Sequence, residues 1–271
     1  MKIALCLFGH IGGMKSINGS IVGEGNISRV YNSYKNMVIG DNDVDLFIHS
    51  WSVDDKKRIL DVYKPNDSLI EKQKDFSNVR LDDYSMKDLD SYSIIFKSNP
   101  DKAVSKLQEL AIRSSSRWYS NSKALEIMGK YSRDNKIEYD FVFQGRLDLL
   151  LFRKFDFSSM DRQFFYCPIR EIEKGKTVNE FFLVSSQKNA ELFGEIYKNK
   201  NKYSIRPAVA AKQHLDIHGI KTREIFEFIK DFNILRLQEE IESKPRLSER
   251  IFKAIRNPML VTNKIINLIR K

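Results

Sequence analysis

Tyr139-Asp140-Phe141-Val142-Phe143-Gln144-Gly145-Arg146-Leu147-Asp148 is a short apolar run that ends at a glycine and then delivers a guanidinium and a carboxylate. Bounded by Asp140 and Gly145, the run predicts a buried strand over Tyr139–Phe143 that closes at a turn. In α/β sheets the carboxyl ends of strands are where ligands bind. Arg146 and Asp148, delivered there together, are candidates to hold a diphosphate, a divalent metal or a sugar hydroxyl. The plain structural alternative is a surface ion pair behind a core strand.

Outward from this segment, strand-like and helix-like runs alternate. Ile3–Phe8 reads as a first strand, followed by Gly9-His10-Ile11-Gly12-Gly13 and a long polar loop into a helix around Ile27–Met37. Asp43–Trp51 reads as a second strand carrying His49 and Trp51 at its end, and Ser68–Glu71 as a short third. Lys102–Met128 has helical spacing, with a break or kink expected at Ser114-Ser115-Ser116. After Tyr139–Phe143 come an apolar run at Leu147–Phe152 and expected strands at Gln163–Cys167 and Glu180–Val184. Helices are expected at Gln187–Tyr197 and Ala208–His218, the second capped by Gly219. Such alternation predicts an α/β domain with a largely parallel sheet.

Composition narrows the classes. The chain has 271 residues, 42% hydrophobic and 30% charged, which is a globular balance with material for a full core. No apolar run approaches the roughly 20 residues that span a bilayer, and Met1–Phe8 is too short for a signal-peptide core. Cys6 and Cys167 both lie in apolar runs, which fits buried thiols of a reducing compartment and makes the cytoplasm the expected address.

The net charge of +10 is unevenly placed: from Lys244 onward eight basic residues face one acid, Glu249. Residues 1–243 are therefore nearly balanced, which argues against a nucleic-acid partner. Residues 244–271 read as a basic amphipathic helix pair interrupted at Pro258, a pattern suited to an anionic membrane surface. A terminal helix packed on the body is the alternative.

Several candidates carry chemistry. His214 and His218 are four apart on one expected helix, but without the acid of a zinc-protease signature they read as a solvated helix face. His10 and His49 each end an expected strand. Gly9–Gly13 matches neither a Rossmann fingerprint nor a P-loop, yet can bring backbone N–H groups to an anion. Arg117-Trp118-Tyr119-Ser120 offers a cation, aromatic faces and hydroxyls for a base or ribose, or else aromatics buried against the sheet. Glu180, at the start of an expected strand, is a candidate general base or an exposed turn residue.

Taken in order, these pieces resemble bacterial glycosyltransferase-like proteins from capsule and O-antigen gene clusters. The resemblance rests on Ile3–Gly9, Asp45–Trp51, Tyr63-Lys64-Pro65, Ile70-Glu71-Lys72-Gln73, Trp118-Tyr119-Ser120, Tyr139–Val142 with Arg146-Leu147-Asp148, and Asn179-Glu180-Phe181. It implies a type A nucleotide-sugar transferase over residues 1–243: one Rossmann-like α/β domain with a mixed sheet, plus the tail 244–271. Many such enzymes hold Mn²⁺ or Mg²⁺ with Asp-x-Asp, and here Arg146 stands where the first acid would be. Asp148 is then the tentative metal ligand, or Arg146 itself neutralises the leaving diphosphate.

The resemblance further implies that Phe8, Gly9, His10, His49, Trp51, Arg117, Tyr119, Ser120 and Arg146 line the substrate cleft. Asp148 and Glu180 would be catalytic, with Glu180 the base of an inverting reaction; a retaining reaction needs none. The implied partners are a nucleotide-sugar donor, a glycan or lipid-linked glycan acceptor, and the inner membrane surface. The alternative is a non-catalytic, membrane-docked assembly protein with a degenerate transferase domain.

Overall fold

The computed structural model describes residues 1–11, 24–85, 100–170 and 173–243. Gly12, Gly13 and the expected basic helices of residues 244–271 lie outside the described residues. The strands are β1 (Lys2–Gly9), β2 (Asp43–Ser50), β3 (Asp67–Ile70), β4 (Phe141–Arg146), β5 (Leu149–Leu151), β6 (Phe165–Pro168), β7 (Phe182–Ser185), β8 (Thr222–Ile225) and β9 (Phe232–Ile234). The helices are α1 (Glu24–Tyr34), α2 (Lys56–Tyr63), α3 (Pro100–Asn135), α4 (Gln187–Phe193), α5 (Pro207–Ile217) and α6 (Leu235–Ser243).

Seven strands make one mixed, mainly parallel sheet in the order β3-β2-β1-β4-β7-β6-β8, and β5 pairs with β9 separately. Within the seven-stranded sheet only β7 runs against its neighbours, and the β5–β9 pair is antiparallel. The fold is α/β, as the alternation predicts.

The side chains of β1 show why the sheet needs cover on both faces. Ile3, Leu5 and Leu7 pack with Ile27, Val30 and Tyr34 of α1 and with Ile59 and Tyr63 of α2. Ala4, Cys6 and Phe8 pack with Ala124, Leu125 and Met128 of α3. Neighbouring strand residues point to opposite faces, so an unbroken apolar run is what a doubly covered strand requires. Each fully buried Ile or Leu contributes about 1.5–3 kcal/mol relative to exposure.

The chain runs from β1 to β2 and β3 on one side, then returns to β4 on the other. The β1–β4 pair is therefore a topological switch point, the position at which sheets of this kind bind ligands. Opposite that pair, the antiparallel β7 brings its first residue, not its last, to the same edge.

Some expectations are corrected. The break at Ser114–Ser116 is absent: α3 is continuous, because neighbours use the serine hydroxyls. Ser114 Oγ donates to the Ile205 carbonyl (2.6 Å), Ser115 Oγ lies 2.7 Å from Tyr84 Oη, and Ser116 Oγ accepts from Gln73 (3.1 Å). The strand expected at Glu180–Val184 starts at Phe182 as β7, so Asn179 and Glu180 precede it. His214 is not on a solvated face. It is fully buried against Phe193 with Nδ1 2.9 Å from Tyr203 Oη, and only its neighbour His218 is exposed. Gly219 takes φ +64°, the left-handed conformation of the expected cap. Cys6 and Cys167 are buried free thiols.

Candidate functional site

The end of β4 is built by its neighbours. Phe8 pairs with Arg146 across β1–β4, and Gly145 pairs with Phe182 across β4–β7. Arg146 therefore sits between the end of β1 and the entry to β7. Its guanidinium donates twice to one carboxylate, from Nε to Asp148 Oδ1 (2.7 Å) and from Nη2 to Asp148 Oδ2 (2.6 Å). Asp148 is buried, while the Arg146 side chain is 29% exposed, so the cation is the member that faces out. Burial works against the Arg146 charge, but the Asp148 carboxylate outweighs it and holds the guanidinium above its usual range.

The backbone under this pair is pinned as well. Tyr34 Oη donates to the Arg146 carbonyl (2.7 Å), and the Leu235 N–H donates to the Asp148 carbonyl (2.8 Å). The turn is thus held by α1 and by the first residue of α6, elements far from it in sequence.

Arg117 reaches the same place from α3. One Nη2 N–H donates to the Glu180 carbonyl, and the guanidinium lies over the Phe8 ring at 5.4 Å. Arg117 Nε is buried and has no hydrogen-bond partner. Burial lowers this group to about 10, the Glu180 charge opposes the fall, and the Arg146 charge adds to it. It stays protonated at neutral pH. Arg146 lies 5.7 Å from the Phe181 ring, so both cations rest on aromatic faces.

The residues expected as a nucleotide-facing set form a buried joint instead. Trp51 stacks on Tyr119 (5.3 Å between centroids, 20° between planes), and Tyr119 Oη donates to Glu71 Oε1 (2.9 Å). His49 is fully buried, with Nδ1 2.7 Å from Ser120 Oγ and Nε2 3.2 Å from Glu71 Oε1. A carboxylate only accepts, so Nε2 carries the proton and the Ser120 hydroxyl donates to Nδ1. Burial lowers His49 to about 4 despite the Glu71 hydrogen bond, so it is neutral at pH 7. Ser120, 1% exposed, also accepts the Gly9 N–H (3.0 Å).

His49, Trp51, Tyr119 and Ser120 fasten the end of β2 to α3, with the Trp51 and Tyr119 ring faces stacked on each other. Of the Gly9–Gly13 loop expected to meet an anion, Gly12 and Gly13 lie outside the described residues. The Gly9 N–H is taken by Ser120, and the Ile11 N–H by Ser52 Oγ (3.1 Å). Gly9 has φ +101°, a conformation that favours glycine and turns the chain away from the sheet. His10 Nε2 lies 3.3 Å from Gln73 Oε1.

Of the expected site residues, the fold therefore brings Phe8, Arg117, Arg146, Asp148 and Glu180 together. Glu180 is partly exposed, and Asn179 beside it ties the entry of β7 to the end of β6 through the Ile169 carbonyl (3.4 Å). A divalent ion does not fit the residues present. Both Asp148 oxygens already accept from Arg146, and an ion bound there would face a guanidinium at contact distance. Among the described residues no group of three or more His, Cys, Asp or Glu stands together as a ligand set.

Tyr34, Phe181 and Tyr63 were not legible as parts of this site. The Tyr63 hydroxyl is buried without a hydrogen-bond partner; burial raises its pKa, and the Tyr31 and Asp148 charges add to the rise. Gly145 was the one available signal for Tyr34, since a strand-end glycine often marks close approach of another group. No helix among the described residues is long and apolar enough to cross a membrane. A scan against models of known protein families matches none of them, and a search of curated proteins gives no match to this chain.

Proposed function

We propose that this protein transfers a sugar from a nucleotide-sugar donor to a surface-polysaccharide acceptor, with the donor diphosphate at the β1–β4 switch point. One observation carries the reading. Arg117, the Arg146–Asp148 pair and Glu180 come from three distant parts of the chain and converge at the switch point of a mixed α/β sheet. Ligands of such sheets bind at that point. Guanidinium groups match phosphate oxygens in geometry and in charge.

In this reading a bond forms between an acceptor hydroxyl oxygen and the anomeric carbon as the bond from that carbon to the diphosphate breaks. The leaving diphosphate takes the electron pair, and Arg146 and Arg117 stabilise the charge it gains. Asp148 holds Arg146 in place. For an inverting enzyme Glu180 accepts the acceptor's proton. The type A assignment, and docking at the cytoplasmic membrane face through residues 244–271, belong to this proposal.

The test is calorimetry with UDP-, GDP- and dTDP-linked sugars in Mg²⁺ and Mn²⁺, followed by mass spectrometry of donor turnover with glycan acceptors. A donor that binds and is consumed supports the reading. A donor that binds without turnover supports an assembly protein with a degenerate site. Wild-type turnover by Arg146→Ala would refute the site.

A further inference from the structure

We propose that this chain holds a nucleoside diphosphate without a divalent metal, using the Arg146 guanidinium, locked by Asp148, and the Arg117 guanidinium beside it. The inference rests on the transferase reading and concerns what neutralises the diphosphate within it.

The donor count comes first. A guanidinium has five N–H donors. Arg146 gives two to Asp148, through Nε and Nη2, and the side chain remains 29% exposed, so its other donors can meet a ligand. Arg117 gives one to the Glu180 carbonyl, while its Nε–H is buried with no partner. A buried charged donor left unmade is costly, on the order of 1–3 kcal/mol or more. The Arg117 Nε has no contact with solvent, so a phosphate oxygen completes it only with a local shift of the Arg117 side chain.

The second argument is electrostatic. Arg117 and Arg146 are near enough that the charge of one disfavours the charge of the other. The Glu180 charge already outweighs that repulsion and the Asp148 charge adds to the relief, so burial is what most disfavours the Arg117 charge. A diphosphate bridging the two guanidinium groups adds attraction for both, bidentate on each where its oxygens align. Phe8 and Phe181 supply apolar faces that keep the planar groups oriented.

The third is steric. A Mg²⁺ or Mn²⁺ ion in a transferase of this type sits between a carboxylate and the diphosphate. Here the guanidinium of Arg146 fills the space against both Asp148 oxygens. Arg146 therefore occupies the place of the ion and carries its function, as a cation fixed before the substrate arrives.

The experiment is isothermal calorimetry of the full chain with uridine, guanosine and thymidine diphosphates and inorganic pyrophosphate, first in EDTA and then in millimolar Mn²⁺. At least one nucleoside diphosphate is expected to bind in EDTA, with Mn²⁺ changing its affinity by less than about fivefold. A larger gain in Mn²⁺ overturns metal independence and leaves the transferase reading standing. Failure of every probe under both conditions overturns both. Removing Arg146 strands a buried carboxylate and can unfold the protein, so the variant to use is Arg117→Ala, checked by circular dichroism. A loss of about tenfold or more in EDTA is expected; unchanged affinity in that folded variant overturns the two-arginine clamp.

Discussion

The Tyr34 hydroxyl lies so close over Gly145 that a β-carbon there would stand 2.5 Å from its oxygen. The same hydroxyl donates to the Arg146 carbonyl at 2.7 Å. One helix side chain therefore sets both the last turn of β4 and the position from which Arg146 reaches out.

Gly145→Ala should destabilise the protein by about 1–3 kcal/mol, the usual range for overpacking a tight core site. The second clash, 2.8 Å to the Phe143 ring, leaves little room for relief. Urea unfolding is expected to show a lower midpoint with unchanged slope. Wild-type stability would mean that Tyr34 swings away freely.

Tyr34→Phe removes the hydroxyl and leaves the Arg146 carbonyl short of a donor, at a cost of about 1–3 kcal/mol. Combined with Gly145→Ala it should cost less than the sum of the single changes, because the closest clashing atom is gone. A double-mutant cycle reads that coupling; strict additivity would separate the two residues.

Acid should weaken the fold through its buried histidines. Burial holds His49 and His214 at about 4, below the unfolded value near 6.5. The unfolded chain then binds more protons between those values, so stability is full above pH 6.5 and falls towards pH 4. The loss is on the order of 3 kcal/mol for each histidine. His49→Gln should flatten that part of the profile of Tm against pH; an unaltered slope would place the acid sensitivity elsewhere.

Neither cysteine should react in the native state. Burial raises the Cys6 thiol well above its usual range and pushes Cys167 up to about 12, and the thiolate is the reactive form. A disulfide reagent at pH 8 should label both only after denaturation. Rapid native labelling would show that a strand at Cys6 or Cys167 opens readily.

Glu180→Gln separates base from binder. For an inverting transfer kcat should fall by about 10²–10⁴ while calorimetric donor affinity changes little. Unchanged kcat would remove Glu180 from proton transfer and favour a retaining course.

The tertiary structure reassigned residues whose types were right and whose surroundings were hidden. His49, Trp51, Tyr119 and Ser120 suit a ligand cleft by chemistry, yet their hydroxyls, ring faces and imidazole nitrogens are satisfied by one another and by Glu71. His214 shared a helical spacing with His218, but its side chain turns inward to Tyr203. Ser114–Ser116 looked like a helix breaker because their acceptors, among them the Ile205 carbonyl, lie far off in sequence.

Three central strands were legible along the chain, since β1, β2 and β4 need apolar residues on both faces and that pattern is local, whereas β8 and β9 were not. The sequence by itself also determined that a cation and a carboxylate follow the central strand. Whether those charges would bind a ligand or each other depended on distance in space. Arg117 arrives from α3, Tyr34 from α1 and Glu180 from the entry to β7, and no spacing along the chain encodes that meeting. Only the packed sheet, by pairing β4 with β1 and β7, decided that Arg146 turns to Asp148 and engages both of its carboxylate oxygens.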